Sequence, residues 1–234
     1  MSACPGPWRA GCSHVARSVV DEGEIPVNVS PGEVYENPRC GERIVVRTPA
    51  SETGGKRSVM DLYVEPGGFA AGEHIHPVSH ERFTLVRGKL AVIQGGRKTV
   101  LDKVGQSILI QPGIEHRWWN PTGDKTYAIC EVIGNGTRFE QMVMRQLFCL
   151  AQDGKTNAEG MPKLLQRAVT SLEFQDVLRF VKPSWKRQRI LYEILAPVAR
   201  RLGYMGCNPE YMNRKPSEVA VLEDLPDEVL AWHY

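Results

Sequence analysis

Residues 72–88 read GEHIHPVSHERFTLVRG and place His74, His76, His80 and Glu81 in one short run, in a chain with only six histidines. Imidazole and carboxylate side chains bind divalent transition metals and move protons near neutral pH. His74 and His76 are separated by one residue. On a β-strand, positions i and i+2 project to the same face, so both rings can reach one point. His80 and Glu81 are neighbours and would face opposite sides of a strand, so either could be the next ligand on residue type alone. A second run, GQSILIQPGIEHRWWN (105–120), brings His116. No Ser-His-Asp pattern, phosphate-cradling glycine loop or GxGxxG appears, and nucleophilic or nucleotide chemistry has no support.

The elements that must position these residues fall into two regimes. From about 40 to 150 the chain is built of short runs rich in Val, Ile, Leu, Thr, Tyr and Phe: residues 44–48, 58–64, 82–87, 89–94, 98–102, 106–110, 126–133 and 142–148. They are joined by turn chemistry such as Pro66-Gly67-Gly68, Gly95-Gly96, Pro112-Gly113 and Gly134-Asn135-Gly136, and Gly95-Gly96 predicts a two-residue hairpin. Many short strands at even spacing predict a mainly β protein, an antiparallel barrel or sandwich. After Gly154 the period changes. Leu164, Leu165, Ala168, Val169 and Leu172 fall at helical spacing, as do Ile190, Leu191, Ile194, Leu195, Val198 and Leu202. Ser184 is placed to cap the second helix, Gly203 to end it, and Pro197 to kink or break it. The tail after Gly206 reads as extended or loosely ordered. The expected division is a flexible segment 1–25, a β-barrel over 26–152, and a helical extension with tail over 153–234.

The two motif runs resemble the cupin family. The first matches the cupin pattern G(x)5HxH(x)3–4E(x)6G at Gly68, His74, His76, Glu81 and Gly88. The second is similar to G(x)5PxG(x)2H(x)3N at Gly105, Gly113, His116 and Asn120, with Gln111 standing where the pattern has proline and Pro112 one residue late. The resemblance covers roughly residues 40–150. It implies a double-stranded β-helix, a cupin jelly-roll barrel, around one divalent transition metal held by His74, His76, Glu81 and His116. Six residues separate Glu81 from Gly88, as the motif asks, and this spacing selects Glu81 over His80 as the ligand. Three imidazoles and one carboxylate suit Fe, Mn, Ni, Co, Cu or Zn and leave coordination positions open.

With Glu81 inward, strand alternation turns Phe83 and Leu85 inward; with His116 inward, it turns Trp118 and Asn120 inward. Phe83, Trp118 and Asn120 are therefore the expected substrate-pocket residues, and the apolar walls suit an aromatic, enolic or polyketide-like molecule. Asp61, Tyr63, Tyr127 and Glu131 could add polar groups, but strand parity leaves their face open. The resemblance implies a metal-dependent dioxygenase similar to the quercetinase-like cupins, with Glu81 both ligand and catalytic base. The alternatives are a non-redox isomerase, cyclase or dehydratase, or a cupin that only holds a small ligand.

Composition constrains the rest. Hydrophobic content of 42%, charged content of 24% and a net charge of +2 are ordinary for a soluble globular chain and make no demand for nucleic acid. No apolar run approaches a membrane span. The first twenty residues lack the apolar core of a secretory signal, and six cysteines without a CxxC pair fit reduced thiols, so a cytoplasmic protein is expected. The helical region is locally basic. That fits a helix touching anionic lipid or a solvated outer face, and the interleaved Glu173, Asp176 and Glu193 favour the second. The extension is expected to pack over a barrel mouth or to mediate a homodimer.

Overall fold

The computed structural model describes residues 29–231; the segment 1–25, expected to be flexible, lies outside these. Among the described residues, eleven strands make two antiparallel sheets. The larger runs β1 (Val34–Asn37), β2 (Glu42–Thr48), β3 (Arg57–Val64), β10 (Thr126–Ile133), β5 (His80–Arg87), β8 (Ser107–Ile110). The smaller runs β11 (Arg179–Phe180), β4 (His74–Ile75), β9 (His116–Trp119), β6 (Leu90–Gln94), β7 (Arg97–Leu101). The chain alternates between the sheets to form a double-stranded β-helix, mainly β, with helices C-terminal to it. Their inner faces enclose one core that includes Val46, Met60, Leu62, Phe83, Leu85, Leu90 and Val92.

The strands follow the β-branched and aromatic runs of the sequence. Gly95-Gly96 makes the expected hairpin: Gln94 pairs with Arg97, and both glycines have positive φ (53° and 78°), the conformation a two-residue hairpin turn requires. The pattern MVMRQLF at 142–148, read as a strand, is instead helical. It lies in a continuous helix, α1, over 136–152, α-helical at Gly136–Phe139, π-helical at Glu140–Phe148 and α-helical at Cys149–Gln152. Buried Met142, Met144, Gln146 and Phe148 imitate a period of two. Gln141 and Arg145 are buried as well, because the helix is covered on nearly every side. Met, Gln, Leu and Arg are good helix formers, and local propensity prevails over the false alternation.

Beyond it come α2 (Leu164–Glu173), α3 (Trp185–Arg201) and the single turns α4 (Pro209–Met212) and α5 (Asp227–Leu230). Pro197 lies within α3 without breaking it; it is exposed, so the carbonyl it leaves without an amide partner is open to water. The apolar spacing does mark this helix, but the stripe faces away from the protein. Gln188, Tyr192, Ala196 and Ala199 are buried, while Ile190, Leu191, Ile194 and Val198 are exposed. The tail is extended and firmly strapped across the large sheet. Arg43 pairs with Glu218 at 2.7 Å, Arg47 donates to the Glu223 carbonyl at 2.8 Å, and Val229 is buried against Val59, Val86, Tyr127 and Ile129.

Candidate metal centre

His74, His76, Glu81 and His116 come together at the bottom of the barrel, all buried, with one ligand atom from each within 4.8 Å of the others. Backbone pairing explains the convergence. His74 on β4 is the direct cross-strand partner of His116 on β9, which closes forty-two residues of sequence into one contact. Glu81 is the second residue of β5 in the opposite sheet, on the same face as Phe83 and Leu85. His80, on the other face of β5, is only half-buried and outside the cluster.

Each ring is oriented by a backbone carbonyl. The Nδ1 atoms of His74, His76 and His116 lie 2.9, 2.8 and 2.9 Å from the carbonyls of Gly72, Val177 and Ile114. A carbonyl can only accept, so Nδ1 carries the proton and each Nε2 keeps its lone pair free. Three of these inward atoms, Nε2 of His76, Nε2 of His116 and Oε2 of Glu81, are buried without a directed hydrogen-bond partner, although the last two stand 2.9 Å apart. Orphaned buried polar atoms are costly, and three of them converging with His74 at one point fit a divalent cation. The shifted second motif also has an explanation. Gln111–Ile114 is a turn closed by Ile114 N–H on the Gln111 carbonyl, with Pro112 second and Gly113 third at φ 77°. Gly113 then donates its N–H to the carbonyl of His76 at 2.8 Å, linking the two motifs through backbone.

Electrostatics follow the same arrangement. Burial opposes charge on Glu81, but its contacts with His116 and His76 outweigh that and hold its carboxyl well below the usual carboxylate range. Burial, then the neighbouring His116 and His76, keep His74 well below an ordinary histidine, and so neutral. His116 is pulled down by burial but lifted further by Glu81. Cys130 donates its thiol to Glu81 Oε1 at 3.6 Å; burial, then the negative charge of Glu81, push that thiol well above its ordinary value.

Above the cluster opens a cavity whose empty space of about 770 Å³ includes open solvent at its mouth. His74, His76 and Glu81 reach it; His116, fully buried, stands behind Glu81. Phe83 and Trp118 line it, with ring centroids 6.1 Å apart. Asn120 does not. Its amide donates to the carbonyls of Val64, Glu65 and Asp124 and its Oδ1 accepts from Thr122, so it clamps the turn after β9. Parity failed there because Asn120 lies one residue past the end of the strand. Asp61, Tyr63, Tyr127 and Glu131 are held elsewhere: Arg47 grips Asp61 at 2.7 Å, the two tyrosines stack, and Arg57 and Arg82 meet Glu131.

Two features of the cavity were missed. One is Glu42, on the inward face of β2 with Ile44 and Val46; burial, then the charge of Glu81, raise its carboxyl to about 8. The alternation in ERIVVRT carried that signal. Beside it across the β1–β2 pair is Asn37, whose Oδ1 is buried without a partner. The other is the roof, made by Phe139 and Phe148 of α1 and by Met161 and Phe180 of the extension. No local pattern announces it.

A family model described as "Cupin domain" matches residues 60–131, which span His74, His76, Glu81 and His116. The chain carries a cupin domain. Around this cupin domain, solved structures show distant likeness. A double-stranded β-helix protein from Klebsiella pneumoniae is 22% identical over 53% of this chain and 88% of its own, at a TM-score of 0.35. A predicted oxalate decarboxylase from Thermotoga maritima is 18% identical over 47% of this chain and 99% of its own, at 0.40. KdgF from Halomonas sp. is 14% identical over 43% of this chain and 86% of its own, at 0.38. No curated protein matches the chain.

Proposed function

We propose that this cupin domain is a mononuclear metal-dependent dioxygenase acting on an aromatic or enolic small molecule, in the manner of the quercetinase-like cupins. The observation that supports it is a cluster of four buried, converging ligand groups, three of which line an apolar cavity. His74, His76, Glu81 and His116 would hold the ion. Bound there, a divalent metal supplies Lewis acidity toward a substrate oxygen and, if redox-active, an electron path to dioxygen. The chain contributes the rest. Phe83, Trp118, Phe139 and Phe180 bind a flat apolar body and exclude water. Glu81 would take a substrate hydroxyl proton at a carboxylate oxygen, with the Cys130 thiol steadying Oε1. Asn37 Oδ1 and the Glu42 carboxyl offer a polar corner for a second hydroxyl.

One observation favours the non-redox reading, an isomerase, cyclase or dehydratase. Glu42, raised to about 8, keeps a proton at neutral pH beside an ionised Glu81, the pairing of acid and base that proton shuttling requires. Oxygen-electrode assays on protein loaded anaerobically with Fe, Mn, Ni or Zn separate the two. Oxygen uptake with catechol or flavonol probes supports the dioxygenase. Turnover that ignores oxygen supports the alternative, and absence of bound metal from every preparation overturns both.

A further inference from the structure

The outward stripe of α3 is an apolar surface feature of the extension that its packing does not use. Ile190, Ile194 and Val198, spaced four apart, are 53%, 66% and 51% exposed; Leu191 and Leu202 beside them are 43% and 64% exposed. At ~100° per residue these positions lie opposite Gln188, Tyr192, Ala196 and Ala199, which are buried against α2 and its neighbours. The stripe is a convex ridge of roughly 20 Å.

Its charges say what can cover it. Arg187 and Arg201 lie on the same line as the apolar residues, one at each end, and Lys186 and Arg200 flank them, all exposed. The single acid of the helix, Glu193, is held by Arg189 at 2.8 Å. A second copy laid antiparallel would set Arg187 against Arg201 at both ends, and a parallel copy would set each against itself. Neither arrangement offers a free carboxylate, so self-pairing is electrostatically opposed. A surface that is fluid, apolar beneath and negative at its rim satisfies both features without shape complementarity. Among the described residues no helix is long and apolar enough to cross a membrane, so the helix would lie in the interface plane.

We infer that α3 docks the protein on an anionic lipid bilayer, with Ile190, Ile194 and Val198 inserted below the headgroups and Arg187 and Arg201 paired with lipid phosphates. The full chain should co-sediment with phosphatidylcholine vesicles containing 30% phosphatidylglycerol at least tenfold better than with pure phosphatidylcholine. Ile194→Asp with Val198→Asp, and separately Arg187→Glu with Arg201→Glu, should each reduce that binding at least tenfold while the melting temperature and metal content stay at wild-type values. Equal sedimentation with both vesicle types, or none, overturns the inference. So does binding that both double variants retain, and so does a wild-type dimer in light scattering that the Ile194→Asp, Val198→Asp variant converts to monomer.

Discussion

Glu42→Gln should stabilise the protein, and should do so more as pH rises. Burial, reinforced by the charge of Glu81, lifts Glu42 from 4.5 to about 8 in the folded state. A carboxyl raised on folding holds its proton more tightly in the native state. The native state is therefore least penalised below about 4.5, loses stability as pH rises from there, and stops losing it above about 8. Each pH unit in that window costs at most ~1.4 kcal/mol. Glu42 is only partly buried and opens on a cavity that water can enter, so screening brings the full effect by pH 8 to about 2 kcal/mol. Glutamine keeps the shape and removes the charge. For a protein of this size that is a gain of roughly 4–8 °C in melting temperature at pH 8 and almost none at pH 4.5. Thermal unfolding of chelator-treated wild type and variant at pH 4.5, 6.5 and 8 measures it. A difference that is flat with pH, or a variant less stable at pH 8, would refute the assignment of Glu42 as a carboxyl destabilised by ionisation.

His74→Ala or His116→Ala should lose most of the bound metal by elemental analysis; retention of full metal would sink the four-ligand site. Asn120→Ala should cost about 1–3 kcal/mol of unfolding free energy, because the carbonyls of Val64, Glu65 and Asp124 lose its amide, yet keep wild-type metal content. If it loses ligand affinity at full stability, Asn120 faces the pocket after all. Deleting residues 155–234 should abolish metal binding as well as expose the cavity, because Val177 and β11 leave with the segment. A soluble truncation with full metal would count against that reasoning.

The sequence disclosed most of the strands because each carries its own pattern. ERIVVRT, SVMDLYV and TYAICEVI alternate or run apolar between glycines, and those local rules govern what the barrel does with them. The four-residue cluster was legible through spacing, since Gly88 and Gly113 mark turns that only a positive φ permits. What stayed hidden depends on contacts distant in sequence. Strands β4 and β11 are two residues each, too short for any period. Helix α1 was misread because its burial comes from neighbours on nearly every side. The α3 stripe was seen, but a periodic apolar face reports a helix without saying whether protein or something else covers it.

That hidden pairing changes how the site depends on the extension. A two-residue strand has almost no stability of its own, yet β4 must fix His74 to within a fraction of an ångström for a metal to be held. It is clamped on one side by His116 of β9 and on the other by Phe180 of β11, and Val181 donates its N–H to the Glu73 carbonyl at 3.0 Å. His76 lies beyond the end of β4, and its ring is oriented by the carbonyl of Val177, contributed by the same segment. Of the four groups, two are therefore set by residues 177–181, which lie outside the stretch that matches the cupin domain. The extension also supplies Phe180 and Met161 to the cavity roof, so the strand that orients the histidines shapes the cavity above them. On the proposed function, metal affinity and substrate fit would be coupled through one short strand, because β11 touches both the ligand rings and the roof.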